Sequence, residues 1–267
     1  MDIGRFTSVD IRTLQPYDVG NMIRVGDQND GGYVIPRELP DMDVLVSFGL
    51  GDNWSFERSL VKLKIVRDFY IFDHTISGPV FFTRFAKRLL THPFNFKAIN
   101  YRLLVLARYL IEFKLFRWKH VKKEITREHS DSRRTTLVEI AEQLRQKTFA
   151  LKIDIEGDEY LIIDQIISLS YRIPLLVVEF HETESLRASF CEALEKLASN
   201  YKIVHAHCNN FTGLSSDGIP LTVELTFLRS DLVLTTQRVN SIPRNDCDSP
   251  SSPDRPDITL EFKSKPV

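Results

Sequence analysis

The sequence contains few of the features that mark a secreted or a membrane-spanning protein. Its 267 residues include only three cysteines, and no two of them have C-x-x-C spacing, which argues against a disulfide framework and a cysteine zinc site. No uninterrupted apolar run approaches roughly eighteen residues, and the N-terminus lacks the basic start and apolar core of a signal peptide. The net charge of -1 offers no attraction to nucleic acid. We therefore expect a cytoplasmic protein without a nucleic-acid partner.

The first half of the chain reads as a strand, a turn, a helix and a second strand. An apolar run at 43–48 predicts a buried parallel strand, which ends in the glycine turn 49–52. A helix is expected at 55–63, and a second apolar strand at 69–72 ends in Asp73. This order is that of a βαβ unit whose first turn contains glycine.

The second half alternates strands with helices in the same way. Strands are expected at 149–155, 174–180, 201–206 and 221–228, and helices at 159–168 and 183–198. The alternation predicts a Rossmann-like α/β domain over residues 43–236, with a mainly parallel sheet and helices on both faces. Residues 1–42 are expected to form a turn-rich lead-in with a candidate lid around Asp30. The Pro-, Ser- and Asp-rich residues 237–267 predict an extended tail.

A segment from about 78 to 128 interrupts this pattern. From Phe81 to Glu128 it carries twelve Lys and Arg residues against three Glu, with aromatic residues interleaved. Apolar residues recur at helical spacing over 101–116, so the insertion is expected to be helical. It could cover a substrate, approach anionic membrane lipid or bind a partner. Base stacking on nucleic acid ranks last, because no RNA-binding motif accompanies the aromatic residues.

Features at the strand ends indicate a nucleoside-containing cofactor. The turn at Gly49 and Gly51 can lie close to a ligand, beside the free N–H groups of the next helix. Asp73 stands where a carboxylate accepts hydrogen bonds from ribose hydroxyls. The third glycine of the dinucleotide fingerprint is missing, so S-adenosylmethionine fits better than a pyrophosphate. The expected cofactor-binding residues are Asp30, Gly31, Gly32, Phe48, Gly49, Gly51, Asp52, Asp73 and Asp154.

Acidic and histidine side chains after the later strands are the candidates for chemistry. Asp154 and Glu156 belong to a run of carboxylates whose mutual repulsion is costly unless cations or hydrogen bonds compensate it. His181 is the favoured general base, and His207 follows the next predicted strand. We expect all four residues to be catalytic, although helix capping and structural hydrogen bonds are alternatives. Asp154 and Glu156 could also bind Mg²⁺ or a similar hard cation.

Several motifs resemble those of a known family. DGGY, SFGLGDNWSFE, LKIDIEGDEY, VVEFH and HAHCNN look like the FkbM family of S-adenosylmethionine-dependent methyltransferases and its methyltransferase-like relatives. The most specific element is KIDIEGDEY followed by VVEFHE, and the resemblance spans most of the chain apart from the insertion. It implies the class I methyltransferase fold and an O-methyltransferase that acts on a sugar, a glycan or another small molecule.

Two other functions fit the same residues. A binding or scaffold protein could keep the nucleoside pocket and bind the cofactor without turnover. An NAD-dependent oxidoreductase could use the same fold, but the incomplete glycine fingerprint and the lack of a Tyr-x-x-x-Lys pair disfavour it. The sequence leaves open the methyl acceptor, the metal requirement and the oligomeric state.

Overall fold

A computed structural model describes residues 10–115, 118–128, 130–244 and 246–262. Its strands are β1 (Met22–Val25), β2 (Tyr33–Pro36), β3 (Val44–Phe48), β4 (Asp68–Phe72), β5 (Lys119–Val121), β6 (Glu124–Ile125), β7 (Arg134–Thr135), β8 (Phe149–Ile153), β9 (Leu175–Phe180), β10 (Tyr201–Cys208), β11 (Val223–Arg229), β12 (Ser241–Ile242) and β13 (Leu260–Glu261). Its α-helices are α1 (Ser55–Lys62), α2 (Gly78–Thr91), α3 (Phe96–Tyr109), α4 (Leu137–Gln143), α5 (Ile163–Ser168) and α6 (Arg187–Ala198).

Seven strands form the central sheet, in the order β10-β11-β9-β8-β3-β4-β5. All neighbouring pairs from β9 to β5 are parallel, whereas β11 runs antiparallel to both β9 and β10. β3, β8 and β9 are buried along their whole length, as expected of central strands that are covered on both faces. The predicted Rossmann-like class I methyltransferase fold is thus confirmed, and the reversed strand β11 distinguishes it from the parallel dinucleotide-binding sheet.

Helices cover both faces of the sheet. α4, α5 and α6 pack on one face, and α1, α2, α3 and the β1–β2 hairpin pack on the other. The side chains of β3 alternate between these layers, since Val44 and Val46 face the first and Leu45 faces the second. The carboxyl ends of β3, β4 and β8 therefore meet at one edge, between the two layers.

The predicted helical insertion consists of a helical hairpin, α2 and α3, followed by the edge strand β5. Ser77 and Asn95 cap the two helices by accepting hydrogen bonds from backbone N–H groups. The helix expected at 101–116 begins earlier, at Phe96, and continues as a π-helical turn beyond Tyr109; position 116 lies outside the described residues. Of the helices in the described ranges, none has the length and apolarity to cross a bilayer.

The N-terminal residues cover the sheet as well as lead into it. β1 and β2 form an antiparallel hairpin, and the hydroxyl of Thr226 on β11 donates to the carbonyl of Val34 at 2.6 Å. Tyr33 is 3% exposed and packs edge-on against Phe56 of α1. The candidate lid lies in the loop between these two strands, whereas residues 1–9 lie outside the described part of the chain.

The C-terminal segment packs on the domain instead of forming the predicted extended tail. β12 and β13 pair with each other, and Ile242 and Phe262 join the hydrophobic core. The amide of Asn210 donates to the carbonyl of Ser252 at 3.0 Å and accepts from its N–H at 2.6 Å. A few apolar anchors and one buried amide therefore order a segment that is polar in composition. Residues 263–267 lie outside the described ranges.

Candidate active site

A cleft of about 320 Å³ opens at the carboxyl ends of β3, β4 and β8. Ligands bind at this edge in open parallel sheets, and ligand pockets have volumes of about 300–1,000 Å³. Five of the residues predicted from the sequence line the cleft, namely Gly49, Gly51, Asp73, Asp154 and Glu156. The tertiary structure thus brings together the glycine turn, the acid after β4 and the acids after β8.

Gly49 marks a close contact between the turn after β3 and the end of β8. Its φ is +83°, and a Cβ there would lie 1.8 Å from the carbonyl oxygen of Asp154. The N–H of Asp154 also donates to the carbonyl of Phe48 at 3.0 Å. Only glycine lets the two strand ends approach this closely. Gly51 has a φ of +57° and open space around its Cβ position, so its backbone borders the cleft directly.

The carboxylate of Asp73 ties the glycine turn to the end of β4. One oxygen accepts from the N–H groups of Leu50 at 2.9 Å and Gly51 at 3.4 Å. The other accepts from both the N–H and the hydroxyl of Thr75 at 2.7 Å. Burial would raise the pKa of Asp73, but these hydrogen bonds outweigh it and hold the pKa below its ordinary value. Asp73 is therefore an ionised group in the cleft wall.

A buried lysine stands behind Asp154. The ammonium of Lys152 lies 3.2 Å from Oδ2 of Asp154 and 3.7 Å from Oε1 of Glu57, and the hydroxyl of Tyr33 donates to Asp154 at 3.1 Å. Burial would lower the pKa of Lys152, but the two carboxylates outweigh it and raise the pKa. Burial likewise opposes ionisation of Asp154, but Lys152 and His181 hold its pKa below the ordinary value. Asp154 is therefore a carboxylate at neutral pH.

His181 lies between the carboxylates of the cleft and one behind it. Its Nδ1 is 2.8 Å from Oε1 of the buried Glu159, which fixes the ring. Its Nε2 lies 4.0 Å from Oδ1 of Asp154 and 3.7 Å from Oε2 of Glu156. Burial would lower the pKa of His181, but Glu159 and the neighbouring acids raise it to about 9. Unless a metal ion is bound beside it, the imidazole is protonated at neutral pH.

The same groups could hold a divalent cation. One donor atom each of Asp154, Glu156 and His181 lie within 4.8 Å of one another. A metal-binding histidine usually donates its second ring N–H to a carboxylate, and Glu159 occupies that position. Carboxylate oxygens suit Mg²⁺ and Mn²⁺, whereas imidazole suits Zn²⁺ and Fe²⁺. The donor set therefore fits a cation and adds His181 to the two ligands predicted from the sequence, but it does not select the metal.

A row of buried polar groups continues from Asp154 across the sheet. Glu179 of β9 lies opposite Glu224 of β11, which lies opposite His207 of β10. Burial, together with Asp154 and Glu224, raises the pKa of Glu179 well above its ordinary value. The amide of Asn209 donates to Glu179 at 2.8 Å. Glu179 thus holds a proton readily, and that proton reduces the repulsion among these acids.

His207 lies outside the cleft, although the sequence predicts a catalytic role for it. The side chain is 1% exposed, with Nε2 3.1 Å from Asp257 and Nδ1 3.5 Å from Glu224. Burial would lower the pKa of His207, but these two acids raise it to about 10. The nearby His205 pairs in the same way with Asp248 at 2.9 Å. Both aspartates belong to the C-terminal segment, so the two histidines hold that segment on the sheet.

Two residues predicted to bind the cofactor have other contacts. The side chain of Phe48 is fully buried and packs edge-on against Phe72, and Phe48 does not line the cleft. The carboxylate of Asp52 pairs with both Arg84 and Arg102. Asp52 therefore links the glycine turn to the helical hairpin, and the assignment of Phe48 and Asp52 to the cofactor stays a prediction.

The candidate lid at 30–32 packs beside the cleft and not in its wall. The amide of Asn53 donates to the carbonyl of Asp30 at 2.8 Å, and the N–H of Asp30 donates to the carbonyl of Ser251 at 3.3 Å. Burial and the charge of Asp154 raise the pKa of the Asp30 carboxyl group. The loop is thus held between the glycine turn and the C-terminal segment, close to the acids of the site.

Other residues of the site were not predicted from the sequence. Lys152 could have been identified from the sequence, because a charged residue inside an apolar strand is rarely buried without an oppositely charged partner. Thr75 follows Asp73 by two positions, but nothing in that spacing shows the hydrogen bonds. Arg84 and Lys123 reach the cleft from α2 and from the loop after β5. Whether these two side chains reach the cleft depends on how the insertion folds back onto the domain, and no local sequence pattern shows this.

Comparison with known proteins finds distant structural similarities. No protein-family model and no curated protein matches the chain. The M1A22 tRNA methyltransferase TrmK of Bacillus subtilis is similar over 72% of this chain and 62% of its own, with 12% identity and a TM-score of 0.35. Sp1610 of Streptococcus pneumoniae, named as a candidate tRNA (m1A22) methyltransferase, is similar over 73% and 68%, with 12% identity and a TM-score of 0.36. Likeness at this level says nothing about the activity of this chain.

Proposed function

We propose that this chain is an S-adenosylmethionine-dependent O-methyltransferase of the FkbM type, which methylates a hydroxyl group of a sugar, a glycan or a related small molecule. The observation that carries the proposal is the convergence of Gly49, Gly51, Asp73 and Asp154 in one cleft at the ends of three adjacent parallel strands. Such a cleft offers backbone contacts, a carboxylate for a ribose and a second carboxylate for an acceptor.

The residues around the glycine turn fit the parts of the cofactor. α1 follows the turn directly, and the partial positive charge of its N-terminus suits a carboxylate. Ribose hydroxyls can bind Asp73 if they replace the long contact from Gly51 or that from the rotatable hydroxyl of Thr75. Ile76 and Ile125 give the cleft an apolar wall for the adenine. When bound, S-adenosylmethionine supplies a methyl group on a sulfonium.

The acceptor hydroxyl must lie in line with that methyl group and lose its proton. Asp154 is ionised and lines the cleft, so it orients the hydroxyl by accepting its hydrogen bond. Nε2 of His181 then takes the proton as the new O–C bond forms and the S–C bond breaks. Because the pKa of His181 is raised to about 9, only its neutral form can do so, and the rate rises with pH up to that value.

A divalent cation is the alternative means of removing the proton. Held by Asp154, Glu156 and His181, it would lower the pKa of a hydroxyl group that reaches it. The orientation of His181 by Glu159 supports this alternative. Treatment with EDTA separates the two routes, since it abolishes turnover by the cation route and leaves the route through neutral His181 intact.

We further propose that the protein works in a reducing, cytoplasmic setting on an acceptor other than nucleic acid. Cys191, Cys208 and Cys247 are all free thiols, which supports a reducing compartment. The net charge of -1 supports a small or uncharged acceptor. The tRNA named for the two similar structures is a property of those proteins.

Calorimetry with S-adenosylmethionine, S-adenosylhomocysteine and NAD tests the cofactor. We expect both sulfur nucleosides to bind and NAD not to bind. Asp73→Asn should weaken binding about tenfold or more, because hydrogen bonds to a charged group contribute about 1.5–3 kcal/mol. Asp68→Asn is the matched control, since Asp68 stands at the opposite end of β4 and pairs with Lys119. Binding of NAD alone, or of none of the three, would overturn the proposal.

A second measurement distinguishes an enzyme from a scaffold protein. With sugars and glycans as acceptors, we expect release of S-adenosylhomocysteine that Asp154→Asn and His181→Gln reduce without abolishing cofactor binding. If the cofactor binds but a broad set of hydroxyl acceptors gives no turnover, the chain is a nucleoside-binding protein without chemistry.

A further inference from the structure

We infer that the helical hairpin, which with the first two residues of the π-helical turn after α3 spans residues 78–111, docks on a membrane surface that contains anionic lipid. Its most unusual feature is exposed apolar area. Of the seventeen large apolar side chains that are exposed in the described residues, ten belong to the hairpin. They are Phe82, Leu89, Leu90, Phe94, Phe96, Tyr101, Leu103, Leu104, Leu110 and Ile111. Concentrated exposure of this kind marks an interaction surface, whereas single exposed residues do not.

The tip of the hairpin presents two aromatic rings. Phe94 and Phe96 flank Asn95, and they are 87% and 68% exposed. Asn95 caps α3 by accepting from the N–H of Ala98 at 3.1 Å, and its own N–H donates to the carbonyl of His92 at 3.0 Å. The backbone of the tip is therefore ordered, and it holds both rings outward at the end of two helices.

The exposed face is distinct from the face that the hairpin uses to fold. Phe81 of α2 and Tyr109 of α3 are buried and pack around Trp54, next to α1, with ring centroids 6.1 and 6.4 Å from that of Trp54. Val105 and Leu106 join the same core cluster. The hairpin thus already has its own buried side, and its ten outer apolar side chains remain 45–87% exposed.

The charge of the hairpin is of one sign. Residues 78–111 contain six Lys and Arg residues and neither Asp nor Glu, although the whole chain has a net charge of -1. Arg84 and Arg102 pair with Asp52. The remaining cations form no ion pair with any residue that the structure describes, namely Lys87, Arg88, Lys97 and Arg108. Apolar side chains next to unpaired cations are the pattern of a helix that lies in the headgroup region of an anionic bilayer.

Other occupants fit this surface less well. A second copy of the chain would bring the same cations to the contact, with no acidic residue of the hairpin to pair with them. A nucleic acid would match the cations and could stack on the aromatic rings, but it would leave aliphatic side chains such as Leu90, Leu103 and Leu104 without a partner. A bilayer surface accommodates the cations and both kinds of apolar side chain.

Docking would bring the candidate active site to the membrane surface. Arg84 lines the cleft, and with Arg102 it joins the hairpin to the glycine turn through Asp52. An acceptor at the bilayer surface would then lie close to the site. The docking itself does not depend on the proposed methyltransferase activity, so its test requires neither cofactor nor turnover.

Co-sedimentation of the purified full chain with vesicles tests the inference. We expect binding to phosphatidylcholine vesicles that contain about 30% phosphatidylserine and little binding to phosphatidylcholine alone, because the cations need a negative surface. Binding should fall at about 0.5 M salt, where the electrostatic part is screened. Absence of binding to the anionic vesicles at low salt would refute the inference.

Variants locate the contact. Phe94→Ser/Phe96→Ser should weaken binding about tenfold or more, and Lys87→Glu/Lys97→Glu should do the same. Tyr171→Ser/Leu234→Ser is the matched control, because both side chains are exposed but lie outside the hairpin, and it should bind like the wild type. If the control variant lost vesicle binding to the same extent, the protein would adsorb to vesicles without using a specific surface. A dimer, or an RNA complex, that the tip variant disrupts while vesicle binding is unchanged would also overturn the inference.

Discussion

Replacement of Lys152 by methionine should destabilise the protein strongly, since this lysine neutralises the acids beneath the cleft. Methionine keeps most of the volume and removes the charge together with the hydrogen-bond donors of the ammonium. The ammonium lies 3.2 Å from Asp154 and 3.7 Å from Glu57, and it donates to the carbonyl of Gly49 at 3.3 Å. Glu57 is 1% exposed, so water cannot take the place of the lysine there.

The expected loss follows from the burial of these groups. Removal of one partner from a buried ion pair costs about 3–5 kcal/mol, because the other charge remains buried without compensation. The side chain of Asp154 is 26% exposed and can gain some hydration, and Glu57 keeps a hydrogen bond from Ser47 at 2.6 Å. We therefore expect a loss of stability at the low end of this range, about 3 kcal/mol, which corresponds to a fall in Tm of about 6–12 °C.

Urea unfolding followed by circular dichroism at pH 7.5 measures the effect. Lys147→Met, at an exposed lysine, is the control and should change stability by less than about 0.5 kcal/mol. Because Lys152 helps to hold the pKa of Asp154 low, its stabilisation is present above the unfolded-state pKa near 4 and is lost as pH falls through the folded value. The difference between wild type and variant should thus shrink in acid.

A double variant makes the argument specific. Glu57→Gln removes one of the acids that Lys152→Met leaves uncompensated, so the double variant should recover part of the loss. A loss of less than about 1 kcal/mol in Lys152→Met would contradict this role of the lysine. So would a double variant whose loss of stability equals the sum of the losses in the two single variants.

Three further predictions concern the strand ends. Gly49→Ala should destabilise by about 2 kcal/mol or more, because its Cβ would overlap a backbone oxygen, whereas Gly51→Ala, in open space, should cost only about 1 kcal/mol of backbone strain; equal costs in urea unfolding would contradict this. NMR titration without divalent ions should give His181 a pKa of about 9, which Glu159→Gln lowers; an unchanged pKa in that variant would contradict the assignment. The stabilisation by His207 is complete below its unfolded pKa near 6.5 and is lost as pH rises through about 10, so His207→Gln should be more harmful at pH 6 than at pH 10.5.

Local patterns were sufficient for the strands and for part of the site. β3, β8 and β9 are short, continuous apolar runs, so their burial on both faces can be predicted without knowing which elements lie beside them. Gly49, Asp73 and Asp154 stand directly after such runs, and the carboxyl ends of parallel strands meet at one edge. Their convergence in the cleft therefore follows from the order of the elements.

Contacts between distant segments were not predictable in this way. The C-terminal residues are polar and rich in proline, yet Asp248 and Asp257 reach the buried His205 and His207. Asp52 reads as a cofactor ligand but pairs with arginines of the helical hairpin. Composition and periodicity report on a few neighbouring residues, whereas an ion pair depends on which segments fold next to each other.

The sequence by itself determined the α/β fold, the position of the candidate site at the carboxyl ends of the strands and the apolar, cationic character of the insertion, because each arises from residues that are close in the chain. Only the tertiary structure decided that Lys152 neutralises the acids behind the cleft, that His207 serves the C-terminal segment and that the hairpin turns an apolar face outward. Those outcomes depend on burial and on long-range partners, which arise only when the layers pack.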